Sequence, residues 1–204
     1  MAVRRGSIPT SMGATDLGPT ELRFLLVGEA GVGKTCLAIM QAHRTFADPM
    51  MGDGKTGNEY SSSSMQFGQQ VDLVVQDAFS DAPDYQQAGA VIVLYDSHET
   101  MSAAASKWVP EARREAKEGT PVLLAGTKSD LEKLPPTDMI PVMLSAAGVD
   151  VTMMSECSAK TGDGIQPIFD KAVEAALNER AAAKMFAATG LAKKPKKSSV
   201  CAIL

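Results

Sequence analysis

The chain has few of the residues that build disulfide frameworks or zinc sites. Its 204 residues include three cysteines and two histidines, and the cysteines lie far apart with no Cys-x-x-Cys pair. This pattern excludes a disulfide-rich scaffold, disfavours a structural zinc site and fits a reducing cytosol. No apolar run approaches the roughly 20 residues that span a bilayer, and the first residues lack the apolar segment of a signal peptide. We therefore expect a protein that is made and kept inside the cell.

Neither sign of charge dominates the sequence. There are 20 basic and 24 acidic residues, for a formal net charge of -4, so the chain as a whole is not a nucleic-acid binder. The length suits one α/β domain with a well-buried core and two modest tails. We predict a flexible leader over residues 1–20, one domain over residues 21–188 and a basic tail over residues 189–204.

The most informative stretch is GEAGVGKT, residues 28–35, which ends an apolar run and leads into a helix-like segment. The pattern Gly-x-x-x-x-Gly-Lys-Thr binds phosphate when a strand enters the loop and a helix leaves it. Glycines allow successive backbone N–H groups to point at one oxyanion, Lys34 adds positive charge, and the Thr35 hydroxyl can hold magnesium. The alternative is a chance glycine-rich turn. The predicted phosphate-binding residues are Gly28, Glu29, Ala30, Gly31, Val32, Gly33, Lys34, Thr35 and Cys36.

Strand-like and helix-like segments alternate along the chain. The predicted strands cover residues 21–28, 58–67, 69–77, 90–96, 121–126 and 151–157. The predicted helices cover residues 33–43, 101–117 with an interruption near Pro110, 138–147 and 164–187. This alternation predicts a mostly parallel sheet covered by helices on both faces, with ligands at the carboxyl ends of the strands.

Two short motifs after buried strands indicate which base is bound. In TKSD, residues 127–130, the Asp130 carboxylate can accept two parallel hydrogen bonds from guanine, a donor pair that adenine does not present. The Lys128 stem can lie along one face of the purine. In ECSAK, residues 156–160, the guanine carbonyl can be met by the backbone N–H groups of Ser158, Ala159 and Lys160. Singly, these motifs could be a surface turn and a helix cap; together, downstream of the phosphate loop, they predict a guanine-nucleotide site.

In this order, GEAGVGKT, Phe46, Asp77, TKSD and ECSAK resemble the motifs of the Ras superfamily over about residues 22–180. The Rho/Rac branch is suggested by Thr127 at the start of TKSD, by KWVPE at residues 107–111 and by the Cys-Ala-Ile-Leu ending. The resemblance implies an α/β fold of the P-loop NTPase type, a three-layer sandwich with a mostly parallel six-stranded sheet. It also implies a magnesium-dependent GTP/GDP switch.

Motif matching then assigns roles to individual residues. Lys34 would hold the β and γ phosphates, and Thr35 would bind magnesium directly. Asp77 would bind the same magnesium through water. Phe46 would contact the edge of the guanine, with ordinary core packing as its alternative. Thr56 is the candidate for the threonine that senses the γ phosphate and also binds the metal.

The resemblance is weakest after Asp77, where the family usually has Thr-Ala-Gly-Gln and this chain has Ala-Phe-Ser-Asp. Ser80 replaces a glycine whose N–H turns onto the γ phosphate, and Asp81 stands where a glutamine positions the attacking water. Asp81 is thus a weak catalytic candidate beside Lys34 and Thr35. The Ala30 methyl group would also crowd an arginine supplied by an activating protein. We therefore predict slow hydrolysis.

Two segments are shorter than in Rho proteins. Only four residues, 86–89, lie between Tyr85 and the predicted strand that begins at residue 90. A Rho-like protein would have a helix in this segment. The 24 residues between positions 131 and 156 are too few for the extra helix of the Rho branch. The second switch is therefore expected to be truncated.

The C-terminal residues predict a membrane anchor. KKPKK at residues 193–197 precedes Cys201, which is fourth from the end. A Cys-aliphatic-aliphatic-Leu ending favours geranylgeranyl transfer to Cys201 and removal of the last three residues. The lysines would add attraction to anionic headgroups, about 1 kcal/mol each near the surface. The alternative is a solvated basic tail with a chance cysteine. We expect the cytoplasmic face of a membrane, most simply the plasma membrane, with a cytosolic pool.

Three functional hypotheses remain. The leading one is a prenylated Rho-like small GTPase that presents its switch surface to effector proteins and is served by exchange factors or activating proteins. The second is a pseudo-GTPase scaffold that stays loaded with GTP. The third, an ATP-using P-loop enzyme, is disfavoured by Asp130 and by the lack of a second-substrate motif.

Overall fold

The computed structural model describes residues 19–46, 59–78, 83–131, 134–136, 139–146, 151, 153–189 and 202–203. The predictions for Thr56, Ser80, Asp81 and Cys201 lie outside these residues. So do most of the predicted leader and tail.

A twisted, mostly parallel sheet forms the middle layer. Its strands are β1 (Thr20–Gly28), β2 (Glu59–Gln66), β3 (Gln69–Asp77), β4 (Ala90–Tyr95), β5 (Val122–Gly126), β6 (Met153–Glu156) and β7 (Ala202–Ile203). The order across the sheet is β2-β3-β1-β4-β5-β6-β7. The hairpin pair β2 and β3 is antiparallel, and the other neighbouring pairs are parallel. The predicted sheet is confirmed, and the two-residue β7 lies beside the six expected strands.

Helices cover both faces of the sheet. They are α1 (Lys34–His43), α2 (His98–Ala103), α3 (Val109–Glu115), α4 (Ile140–Ala146) and α5 (Ile165–Thr189). Short 3₁₀ turns lie at Tyr85–Gln87 and Ser129–Leu131. The predicted helices are found, with ends that differ by up to three residues. In the described part of the chain, no helix combines the length and apolar character needed to cross a bilayer.

A π-helical turn, Ala104–Trp108, joins α2 to α3. Its cause is Pro110, which has no N–H to donate and whose ring would clash with the carbonyl four residues earlier in a regular α-helix. The Val109 N–H donates to the Ala104 carbonyl, five residues back, which is the π pattern. The predicted interruption near Pro110 is therefore confirmed. The extra residue alters the helical register at Lys107 and Trp108.

The central strands carry apolar side chains to both faces, as the continuous apolar runs predict. Every residue of β4 and β5 is buried. Alternate residues of β1 enter two separate cores: Leu22, Phe24 and Leu26 pack on the face covered by α1 and α5, and Leu25 and Val27 pack on the face covered by α2 and α3. This double burial makes the middle layer rigid, and it fixes the strand ends that carry the site.

Replacing Phe169 by alanine should lower the free energy of unfolding by about 3–5 kcal/mol, because the surrounding core can only partly close the cavity left behind. Phe169 lies on α5, is fully buried and has its ring stacked 6.4 Å from that of Phe24. Urea denaturation measures the change. As a matched control, Val142→Ala on α4 removes an apolar side chain that is 68% exposed and should cost less than about 0.5 kcal/mol. Similar losses for the two variants would contradict the assignment of this core.

Candidate functional site

The carboxyl ends of the central parallel strands open into a cavity of about 880 Å³. All residues predicted to bind nucleotide line it except Glu29 and Val32. It is also lined by Leu37, Ala78, Pro83, Lys107, Trp108, Glu111 and Leu131. This is the edge at which parallel α/β sheets bind ligands, and the cavity brings the phosphate loop and both base motifs together.

The phosphate loop joins β1 to α1 through glycines with positive φ. A Cβ on Gly28, at φ 148°, would lie 2.5 Å from the Leu94 carbonyl oxygen of β4, so only glycine fits this close approach. Gly33, at φ 96°, precedes α1 and supplies no side-chain cap. Because the first amides of a helix lack intrahelical partners, a bound anion can occupy this end of α1.

The side chain of Lys34 folds back over the loop. Its ammonium group donates hydrogen bonds of 3.0 Å to the carbonyl oxygens of Gly28 and Glu29. Burial lowers the pKa of Lys34, and the nearby carboxylates of Asp77 and Glu29 oppose that shift. A partly desolvated cation at the mouth of the loop is well suited to attract phosphate.

Thr35 and Asp77 form an oxygen pair beside the loop. The Thr35 hydroxyl donates to Asp77 Oδ2, whereas Asp77 Oδ1 is buried and has no hydrogen-bond partner. Burial raises the pKa of Asp77, while the Thr35 hydroxyl and the Lys34 ammonium act in the opposite direction. An unpartnered carboxylate oxygen next to a hydroxyl is a hard-oxygen donor set of the kind that magnesium uses. Both residues therefore fit the predicted metal.

Asp130 is held at the opposite end of the cavity. Its Oδ1 accepts a hydrogen bond of 2.6 Å from the Ser158 hydroxyl, and this bond lowers the pKa of the Asp130 carboxyl. The Ser158 amide donates to the Asp163 carbonyl at 3.0 Å. Ser158 therefore positions Asp130, and its amide is already engaged. The amides of Ala159 and Lys160 keep the predicted role of meeting a base carbonyl.

Lys128 links the base motif to the phosphate loop. Its ammonium group donates to the Gly31 carbonyl and to Asp96 Oδ2, both at 2.7 Å. Burial alone would raise the pKa of Asp96, but the hydrogen bonds from Lys128 and Thr100 outweigh it and lower that pKa. Lys128 borders the cavity, and its predicted contact with the face of a purine stays a prediction.

Thr127 acts from within the core. Its hydroxyl donates to the Val32 carbonyl at 2.5 Å and to the Tyr95 carbonyl at 3.1 Å, and its side chain is buried. These bonds tie the end of β5 to the phosphate loop and to β4. Thr127 and Val32 therefore support the site from behind it.

Sequence comparison agrees with this geometry. A model of the Ras family matches residues 23–178. The chain belongs to the Ras family. It is similar to "GTP-binding protein RHO1" of Candida albicans, with 29% identity covering 78% of this chain and 91% of that protein. "Rho-related GTP-binding protein RhoH" of Bos taurus is 30% identical, covering 78% of this chain and 90% of that protein. "Rho-related protein racC" of Entamoeba histolytica is 27% identical, covering 91% and 98%. The predicted resemblance to the Ras superfamily and its Rho branch is confirmed.

Phe46, predicted to contact the edge of the guanine, is one of the residues that line the cavity. It borders the cavity beyond α1 and is 43% exposed, an exposure that ordinary core packing does not produce. Its ring is therefore available to contact a base. Residues 47–58, which follow it, lie outside the described residues.

The segment after β3 departs from the Ras-family pattern in the way its shortness predicts. In residues 83–89, the structure has the single 3₁₀ turn Tyr85–Gln87 in place of a helix. Tyr85 is only 4% exposed, and its hydroxyl donates to Glu111 Oε1 at 3.0 Å. Burial, together with the Glu111 carboxylate, raises the pKa of Tyr85. This part of the truncated second switch is held against α3.

No role was predicted for Lys107, Trp108 or Glu111, although all three border the cavity. The available signal was KWVPE, which supported the Rho resemblance without indicating what its residues contact. The π turn brings Trp108 and Lys107 to the side chain of Glu29.

Proposed function

We propose that this Ras-family chain is a Rho-like small GTPase that binds GTP and GDP with magnesium and acts as a membrane-anchored signalling switch with slow intrinsic hydrolysis. The observation that carries the proposal is a single cavity lined both by Lys34 of the phosphate loop and by Asp130 of TKSD. The names of the Rho relatives add support, since two of these proteins are named as GTP-binding.

In this proposal the phosphates lie in the loop between β1 and α1, and the base lies between Lys128 and Phe46. Magnesium, when bound, would neutralise charge on the phosphates. Thr35 and Asp77 would hold it, with Thr56 as a further candidate ligand. Lys34 would stabilise the charge that develops when water attacks the γ phosphate. Among the described residues, none is placed to orient that water.

Slow hydrolysis is the step that distinguishes the proposal. We expect protein loaded with GTP and magnesium to convert it to GDP in a single turnover, at a measurable but low rate. The double substitution Ser80→Gly and Asp81→Gln should raise that rate at least about 10-fold, because it restores a mobile N–H and an amide that can orient water. GTP affinity should change little. A rate that the substitution leaves unchanged would contradict the assignment of this loop.

A pseudo-GTPase scaffold is the second candidate, and the fixed position of Tyr85 favours it. A segment held by a buried ring and a hydrogen bond to Glu111 is poorly suited to large nucleotide-dependent movement. Ala30 and Asp81 also favour the scaffold, because both are expected to slow the hydrolysis of GTP. GTP that copurifies with the protein and shows no turnover would support the scaffold, whereas bound GDP with measurable turnover would support the switch.

Partners follow from the same proposal. Effector proteins would recognise the surface near the nucleotide, and exchange factors or activating proteins would control loading. The truncated second switch gives such proteins an altered surface. We therefore expect weaker recognition by regulators that read a full-length second switch in Rho proteins.

Replacing Cys201 by serine should move the protein from membranes to the cytosol, because the proposed prenyl group and the basic residues 193–197 act together. Cell fractionation and lipid labelling measure the change. Ala202→Ser, which keeps the cysteine fourth from the end, is the matched control and should stay on membranes. Since processing removes residues 202–204, strand β7 would be absent from the mature protein. Membrane association that survives Cys201→Ser would show that lipid is not the anchor.

A further inference from the structure

We propose that Trp108 and Lys107 anchor the phosphate loop through the side chain of Glu29, and that this anchor slows the release of bound nucleotide. The inference rests on the proposed binding of guanine nucleotide and deepens it. It assigns a role to the first half of KWVPE, which the resemblance alone leaves without one. Glu29 does not line the cavity, so it acts as a positioning residue, and in this proposal Trp108 and Lys107 act through it.

The contact is specific in its geometry. The Trp108 indole N–H donates to Glu29 Oε1 at 3.0 Å, and the Lys107 ammonium lies 3.5 Å from the same oxygen. That ammonium also lies 4.1 Å from the centroid of the Trp108 ring, within the range of a cation–π interaction. Glu29 Oε1 is thus contacted by the neutral indole N–H of Trp108 and by the ammonium group of Lys107, and these two side chains also contact each other.

The local fold explains how two consecutive residues reach one atom. Pro110 forces the π turn Ala104–Trp108, and the altered register presents both side chains towards the loop. Because the core fixes Ala104 and Ala105, the turn is a rigid support. The anchor therefore connects Glu29, the second residue of the phosphate loop, to the π turn between α2 and α3.

The same residue also controls the phosphate cradle through its backbone. The Glu29 carbonyl accepts a hydrogen bond of 3.0 Å from Lys34, the lysine that would contact the phosphates. Holding the Glu29 side chain therefore fixes a carbonyl that positions Lys34. Lys107 also offsets the negative charge of Glu29, which would otherwise oppose an anion in the loop.

The proposal predicts a change in the rate of nucleotide release that is opposite in sign to the change expected from charge repulsion alone. If Glu29 only repelled phosphate, Glu29→Ala would slow nucleotide release and Trp108→Phe would leave it unchanged. An anchor predicts faster release in both variants, by about 10- to 100-fold, which corresponds to loss of a hydrogen bond to a charged group. Lys107→Met should accelerate release less, because the Trp108 bond remains.

The experiment measures dissociation of a fluorescent GDP analogue from the full chain in magnesium, chased with excess GDP. Glu29→Gln keeps an acceptor for the indole N–H and should release the analogue more slowly than Glu29→Ala. Arg114→Met, an exposed change on α3, should match the wild type. Because Trp108 is the sole tryptophan, its emission should also shift in Glu29→Ala but not in Arg114→Met.

The outcomes separate the anchor from the proposed function. A wild-type chain that fails to retain the GDP analogue overturns nucleotide binding itself. A wild type that retains it, with Glu29→Ala and Trp108→Phe releasing it no faster, overturns the anchor alone. Urea denaturation identifies any variant that fails to fold. In that case the anchor is tested by the release rate of Lys107→Met, a substitution at a side chain that is 56% exposed.

Discussion

Replacing Asp130 by asparagine should lower the affinity for GTP about 100- to 1000-fold and raise the affinity for xanthosine triphosphate. The Asp130 carboxylate borders the cavity and is oriented by the Ser158 hydroxyl at 2.6 Å. It can accept from both the N1–H and the exocyclic amine of guanine, and each charge-assisted bond contributes about 1.5–3 kcal/mol. An asparagine amide turns one acceptor into a donor, which clashes with the guanine amine and matches the xanthine carbonyl.

Isothermal titration with GTP, ATP and xanthosine triphosphate gives the three affinities directly. The asparagine oxygen can still accept from Ser158, so the thermal midpoint should stay close to that of the wild type. Asp170→Asn on α5 removes the same charge away from the base end and is the control. An Asp130→Asn protein that still prefers GTP would refute the assignment of the base end of the cavity.

The parts of this fold that depend on chain-wide patterns could be predicted from the sequence. Continuous apolar runs at β4 and β5 are buried on both faces, and Gly28 of the phosphate loop is needed where the backbone passes Leu94. Because parallel strands place their carboxyl ends at one edge, the three motifs meet in space although they lie far apart in sequence. Residue type and order were enough to predict that meeting.

The parts that could not be predicted depend on which atoms come within hydrogen-bond distance. The Ser158 amide donates to the Asp163 carbonyl, and the side-chain pattern does not predict this hydrogen bond between two backbone groups. Thr127 turns its hydroxyl into the core towards Val32 and Tyr95. In both cases the motif indicated a residue that lines the cavity, but the tertiary register decided which of its polar groups are already bonded to other parts of the protein.

Pro110 shows how a local signal can have a distant result. Its missing N–H predicted a break in the helix, and the break is present as a π turn. The sequence did not show that this turn would direct Trp108 to Glu29 across 79 positions. Similarly, the short segment before β4 predicted a truncated switch, whereas the bond from Tyr85 to Glu111 became visible only with the helix in place.

Replacing Lys34 by methionine should lower the affinity for GTP and GDP about 1000-fold while leaving the fold intact. The methionine keeps most of the length of the stem and removes the ammonium group. Two charge-assisted contacts to phosphate oxygens, at about 1.5–3 kcal/mol each, account for a loss of that size. Burial lowers the pKa of Lys34, so its charge is not favoured by the folded chain alone. The cost of burying this charge opposes the gain from its two hydrogen bonds to the Gly28 and Glu29 carbonyls, so its removal should change stability little.

Nucleotide titration and urea denaturation of the nucleotide-free protein test the two halves of this prediction separately. Lys171→Met, an exposed lysine on α5 paired with Glu174 at 3.7 Å, controls for the loss of one positive charge. It should keep wild-type affinity. If Lys34→Met lost binding because it unfolded, Lys34 would be a structural residue. If it bound GTP normally, the ammonium group that spans Gly28 and Glu29 would have no part in holding phosphate. Loss of binding in a stable protein is the result that a phosphate cradle requires.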